Sequence, residues 1–185
     1  YFMKPYFLLL FTGGLLCLQI ACTDSAATTP PTEQTTAKSG HAPAAYLQAN
    51  VTAAKNLLAA FPANDELQLP FDDPDRTAWN NLPINEYPRR GVALMDMTDR
   101  QKQAVQALLR AGLSDVGYLK INWLLWNDQR RREDRRNADN PTWEYYGHNH
   151  FWVTVFGEPS ARAPWGWQFE GHHLSLNVTV LPGAG

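Results

Sequence analysis

The chain has 185 residues, of which 44% are hydrophobic and 12% aromatic, enough for one globular domain with a substantial core and too few for two. A formal net charge of -2 removes the general electrostatic case for a nucleic-acid partner.

The N-terminus reads as a targeting segment. Lys4 is followed by an apolar run from Phe7 to Leu16 and then by Leu18-Gln19-Ile20-Ala21-Cys22, the charged, hydrophobic and small-residue order of a secretory signal peptide. The run is too short for a safe membrane span. A cysteine directly after a small residue resembles the lipobox of bacterial lipoproteins, with Gln19 departing from its usual Leu. The expectation is a signal peptide over residues 1–21 and lipidation of Cys22, which would tie an exported protein to a membrane at the bacterial periplasm or cell surface. Cys17 leaves with the leader, so the mature chain has no cysteine pair for a disulfide or a thiolate metal site.

Residues 22–43 are rich in Thr, Ala, Ser and Pro and cannot bury enough apolar surface to offset ordering entropy; they read as a tether. Residues 44–185 form the domain. Leu47, Val51, Ala54, Leu57, Leu58 and Phe61 recur near helical spacing and predict a helix over 44–61, ended by Pro62. Leu67 to Arg76 begins with a short extended alternation and runs into a Pro/Asp turn, and Arg90 to Met97 reads as a strand. Thr98 with Gln101 is a capping box, opening a helix whose apolar face is Val105, Leu108, Leu109 and Leu113. Ser114 is a second N-cap, for a helix to about Arg132 with Leu119, Trp123 and Trp126 on its apolar face. Arg130 to Arg136 holds five arginines interrupted by two acids, a solvated helix end rather than a nucleic-acid patch.

From Trp143 the period changes to two. Glu144–Phe156 and Trp165–Leu181 read as strands joined by the Gly157–Pro164 connection. Helices first and strands last predict an α+β fold, N-terminal helices packed on a C-terminal antiparallel β-sheet.

Four of the five histidines lie in this β-rich part: His148, His150, His172 and His173. Along Trp165–Val180 the apolar parity flips between Phe169 and Leu174, which predicts one extra residue, a β-bulge at Gly171. The bulge would turn His172 toward the Trp165/Trp167/Phe169 face and leave Glu170, His173 and Asn177 on the polar one. Pairing of the two strands would bring His148 close to the histidine pair. Three imidazoles with Glu144 or Glu170 suit Zn, Fe, Cu or Mn better than Ca or Mg. Catalysis by Glu170 with His172 or His173 as acid and base is the chemical reading, with His148, His150, His172 and His173 as metal ligands. A second reading makes Trp165, Trp167 and Asn177 the walls of a small-molecule site. A third makes the Gly-His-His block a packed structural corner with no chemistry. No nucleophile elbow, P-loop or dinucleotide fingerprint is present.

The block W-G-W-Q-F-E-G-H-H-L-S-L-N, the preceding F-G-E-P-S, and the segments L-P-F-D-D-P-D-R-T-A-W, R-R-G-V-A-L-M-D-M-T-D-R-Q and A-L-L-R-A-G-L-S-D-V-G-Y resemble the domain-of-unknown-function family 3500 over about Ala44 to Val180. The resemblance carries no activity. Its signature positions here are Trp165, Trp167, Phe169, Glu170, Gly171, His172, His173 and Asn177; His148 and His150 match no position of it. It also implies a chain that continues beyond this block, so the domain is expected to be incomplete at its C-terminal end.

Overall fold

The computed structural model describes residues 43–63 and 65–181; the leader, the tether up to residue 42 and the lipidation candidate Cys22 lie outside them. Three helices come first. α1 spans Pro43–Ala59, with Val51, Ala54 and Leu57 buried along one stripe. It stops before the predicted Phe61 because the amides of Ala60 and Phe61 bond to the carbonyls three residues back, a tightened last turn ahead of Pro62. α2 spans Asp99–Gly112 and starts on the predicted capping box: the Gln101 amide donates to the Thr98 hydroxyl, and the Thr98 amide donates to Gln101 Oε1 at 2.8 Å. Val105, Leu108 and Leu109 face the core as the spacing required.

α3 spans Asp115–Asn137, capped by Ser114, whose hydroxyl accepts from the Gly117 amide. It runs through the arginine-rich segment rather than ending near Arg132. Its buried stripe is Ile121, Leu125 and Asp128, whereas Leu119, Trp123 and Trp126, predicted as the core face, stand in solvent. Both stripes have helical spacing, so periodicity alone does not choose between them.

The sheet is mixed. β1 (Gln68–Leu69) runs parallel to β3 (Phe151–Phe156), and β2 (Val92–Ala93) runs antiparallel to it along the same edge. The predicted strand over 90–97 shrinks to β2 because Leu94–Asp96 closes into a 3-10 turn. β4 (Trp165–Gly171) pairs with β3 in the predicted hairpin, Phe156 opposite Gly166 and Phe151 opposite Gly171. β5 (Leu174–Val180) then pairs antiparallel with β4, Gly171 opposite Leu174 and Trp165 opposite Val180.

That second hairpin corrects the reading of Trp165–Val180 as one bulged strand. The chain reverses at His172-His173, and the flip in apolar parity marks the reversal itself. Residues opposed across a two-residue turn share a face, so Phe169 and Leu176, or Trp167 and Val178, are partners rather than distant positions on one strand. Gly171 is required for closeness, since a Cβ there would land in the Phe151 ring.

β4 is buried at all seven positions. On one face Trp165, Trp167 and Phe169 pack into the helices; Trp167 presses on Gly112 so closely that a Cβ there would strike its ring. Tyr46 Oη donates to the Gly112 carbonyl at 2.6 Å and Asn50 Nδ2 to that of Ala111 at 2.9 Å, tying α1 to the end of α2 beside this ring. On the other face Gln168 Nε2 donates to the carbonyls of Asp75 and Arg76, so the Pro/Asp turn covers the sheet. An aromatic side chain removes about 150–250 Å2 from water, worth several kcal/mol at about 25 cal/mol/Å2, which makes β4 the centre of the fold's stability.

Candidate functional site

The reversal at His172-His173 lifts both imidazoles out of the sheet. His173, second of the two turn residues, takes a positive φ of 53°, a left-handed conformation that few non-glycine residues supply. Its Nδ1 donates to the Asn81 carbonyl at 2.7 Å, so the turn is pinned to the loop before β2. His172 lies half-buried, stacked on Tyr146 with ring centroids 4.3 Å apart, and meets His173 edge to face at 4.4 Å.

His172 is held neutral. Burial first, then the neighbouring His173, with Arg131 and Arg135 behind, push its pKa down to about 4 against an opposing hydrogen bond to the Tyr145 backbone. Its Nδ1 is buried without a hydrogen-bond partner. A carboxyl that sequence reasoning did not single out interacts with His173. Asp128 faces inward from α3, accepts from the Gly147 amide at 2.7 Å, and is raised by burial to about 6, against the pull of that amide, Arg131 and His173. Its only sequence signal is a charged residue seven positions after Ile121 on the stripe that turned out to be buried.

Glu170 is elsewhere. It shares the Gln168 face of β4, buried, accepting from Ser175 Oγ at 2.5 Å and facing Arg89. Burial raises its pKa, while Ser175 and Arg89 oppose the shift. Arg89, itself nearly buried, donates to the Tyr87, Leu82 and Gly171 carbonyls, fastening the 82–89 loop to the end of β4. The partners of Glu170 are thus Ser175 and Arg89, whereas the carboxyl that interacts with His173 is Asp128.

His148 and His150 lie before β3, in the turn that follows Gly147, not on a strand as predicted. His148 Nδ1 donates to Gln129 Oε1 at 2.8 Å, and His150 keeps a buried, unpartnered Nδ1. Burial lowers both pKa values, with Arg132 adding to the effect. Glu144 sits in the 3-10 turn Pro141–Tyr145. Among the described residues no three His, Cys, Asp or Glu side chains converge as a metal-holding group. His148 acts on His150 and His172 meets His173; β3 begins only at Phe151, and the His172-His173 turn lies beyond the paired region.

Trp165 and Trp167 are 0% and 1% exposed, so their rings are core and offer no open face to a ligand. Asn177 is exposed on β5 and donates from Nδ2 to Ser175 Oγ at 3.1 Å.

A family model described as a protein of unknown function, DUF3500, matches residues 44–184. The chain belongs to that family. No curated protein and no solved structure gives a match. For this DUF3500 domain the Gly-His-His signature is thus a glycine packed under Phe151 followed by a hairpin turn of two imidazoles, with Asp128 and Tyr146 supplied by segments earlier in the chain.

Proposed function

We propose that the protein is an exported, lipid-anchored domain that binds a small polar ligand at the His172-His173 turn, with Asp128 as the acidic partner. The observation that carries the site is the His172 imidazole, neutral and with a buried Nδ1 that no protein group satisfies. A buried acceptor left unpaired costs about 1–3 kcal/mol, which a donor from a bound molecule recovers. His173 meets the His172 ring edge to face, and Asp128, a carboxyl raised by burial to about 6, interacts with His173. Export and anchoring at Cys22 are supported by the Lys4 to Cys22 pattern.

Native mass spectrometry of the detergent-extracted chain tests the site. The expected result is a bound small molecule or a Zn, Fe, Cu or Mn ion that disappears in both His173→Ala and Asp128→Asn. A wild-type spectrum without any such species, or one unchanged by both substitutions, sinks the proposal. The anchor is tested by the mass of the N-terminal fragment, which gains acyl chains on Cys22 and loses them in Cys22→Ser.

The structural reading is favoured by one specific observation, the bond from His173 Nδ1 to the Asn81 carbonyl, which uses an imidazole as a clamp. It requires His173→Ala to loosen the 79–90 loop while leaving no binding to lose.

A further inference from the structure

α3 carries an apolar stripe that no other described residue covers. Val116, Leu119, Trp123 and Trp126 follow one another at helical spacing and are 59–65% exposed, forming one wall of a shallow groove of about 550 Å3 with Lys120 and Asn122. Single exposed apolar residues are ordinary; four in a row with two tryptophans are an interaction surface. Trp126 is shared with a second groove of about 590 Å3 immediately beyond it, lined by Arg130, Arg131 and Arg135 against one carboxylate, Asp134. Arg130 reaches Glu133 and Asp134 only at 3.8 and 4.0 Å with its side chain 55% exposed, so those contacts leave the guanidinium available.

One helix face thus passes from large apolar rings to guanidinium groups within about 21 Å, the rise of an α-helix from Val116 to Arg130. We propose that this face docks onto an anionic phospholipid surface, the tryptophans entering the interface and Arg130 and Arg131 holding lipid phosphates. Tryptophan is suited to that boundary because its ring is apolar and its N–H polar, and each arginine near an anionic bilayer strengthens binding roughly fivefold. Charge complementarity selects the occupant: a purely apolar partner would gain nothing from the arginine groove that adjoins Trp126. Among the described residues no helix is long and apolar enough to cross a membrane, so the contact lies along the surface. The proposal deepens the membrane half of the function above and rests on the Cys22 anchor for proximity, Cys22 preceding α1 by only 21 positions.

The test uses the full chain on vesicles of phosphatidylcholine, alone or mixed with phosphatidylglycerol, with brominated acyl chains that quench tryptophan on contact. The expected result is quenching in the anionic vesicles, its loss in Trp123→Phe/Trp126→Phe, and a roughly fivefold lower docked-to-free ratio for each of Arg130→Gln and Arg131→Gln. No quenching, equal quenching without phosphatidylglycerol, or quenching that survives the double tryptophan replacement overturns the proposal. So does a dimer in vesicle-free solution that Trp123→Ser/Trp126→Ser dissociates, which assigns the face to a second copy. Flotation of the same samples reads the anchor independently: quenching lost with flotation kept overturns the docking alone, and flotation unchanged by Cys22→Ser overturns the anchor alone.

Discussion

β4 and α3 hold the same kind of side chain and treat it in opposite ways. In β4 two tryptophans and a phenylalanine are at most 1% exposed, while in α3 two tryptophans and a leucine are about 60% exposed. The difference is one of neighbours. β4 has a strand on each edge, helices over one face and the Pro/Asp turn over the other, so every position is enclosed. α3 touches the rest of the domain along Ile121, Leu125 and Asp128, leaving its aromatic stripe outside. The same apolar content therefore lies in the core in one element and on the surface in the other.

The comparison breaks most visibly if Trp167→Ala is mild. Removing this ring leaves a cavity between α2 and the sheet, expected to cost about 3–5 kcal/mol in urea unfolding, whereas a cost under about 1 kcal/mol would mean that β4 is not the centre of stability. Gly171→Ala probes the same strand at its end. The added methyl must displace the Phe151 ring, for a loss of about 1–3 kcal/mol, and the strain should reach the His172-His173 turn, visible as shifted imidazole resonances in NMR.

On α3 the informative substitution acts through charge. Asp128 has its folded pKa raised to about 6, so its favourable contribution is complete below the unfolded carboxyl range and is lost as pH rises through about 6. Asp128→Asn keeps an oxygen for the Gly147 amide and removes that loss, so thermal unfolding at pH 8 should show a gain of about 1–2 kcal/mol, fading as pH falls toward 4. His172 works the other way. Its folded pKa is depressed to about 4, so its contribution is present above about 6.5 and lost as pH falls toward 4. The two opposed titrations flatten the wild-type profile between about 4 and 6, and Asp128→Asn should expose the acid lability of His172 in that window. A variant as flat as the wild type would show that the two groups do not share this balance.

The smallest effect expected is Trp123→Ser with Trp126→Ser in vesicle-free solution, within about 0.5 kcal/mol of wild-type stability for two exposed residues. A loss of several kcal/mol would place these rings in a packed interface and make α3 resemble β4 after all.

Local signals were legible wherever the determining group lay within a few residues. The Thr98/Gln101 box and the Ser114 cap set the starts of α2 and α3, and the alternation on either side of Gly157–Pro164 gave the β3–β4 hairpin. Even the parity flip at Gly-His-His was a true signal of a break in the strand; a bulge and a reversal leave the same trace in side-chain alternation, and only the pairing of Trp165 with Val180 distinguishes them. The candidate site was half legible for the same reason. His172 and His173 are adjacent in sequence, but Asp128, Tyr146 and the Asn81 carbonyl reach them from three separate segments, and no spacing rule joins positions 81, 128, 146 and 172.

By itself the sequence determined the family, the α+β order of elements, the helix caps and the presence of a histidine-bearing corner, because capping, periodicity and turn chemistry act through neighbours along the chain. Tertiary structure alone decided which stripe of α3 is buried, that Glu170 is held by Ser175 and Arg89, and that Asp128 interacts with His173, because burial and proximity depend on what the rest of the chain places alongside each face.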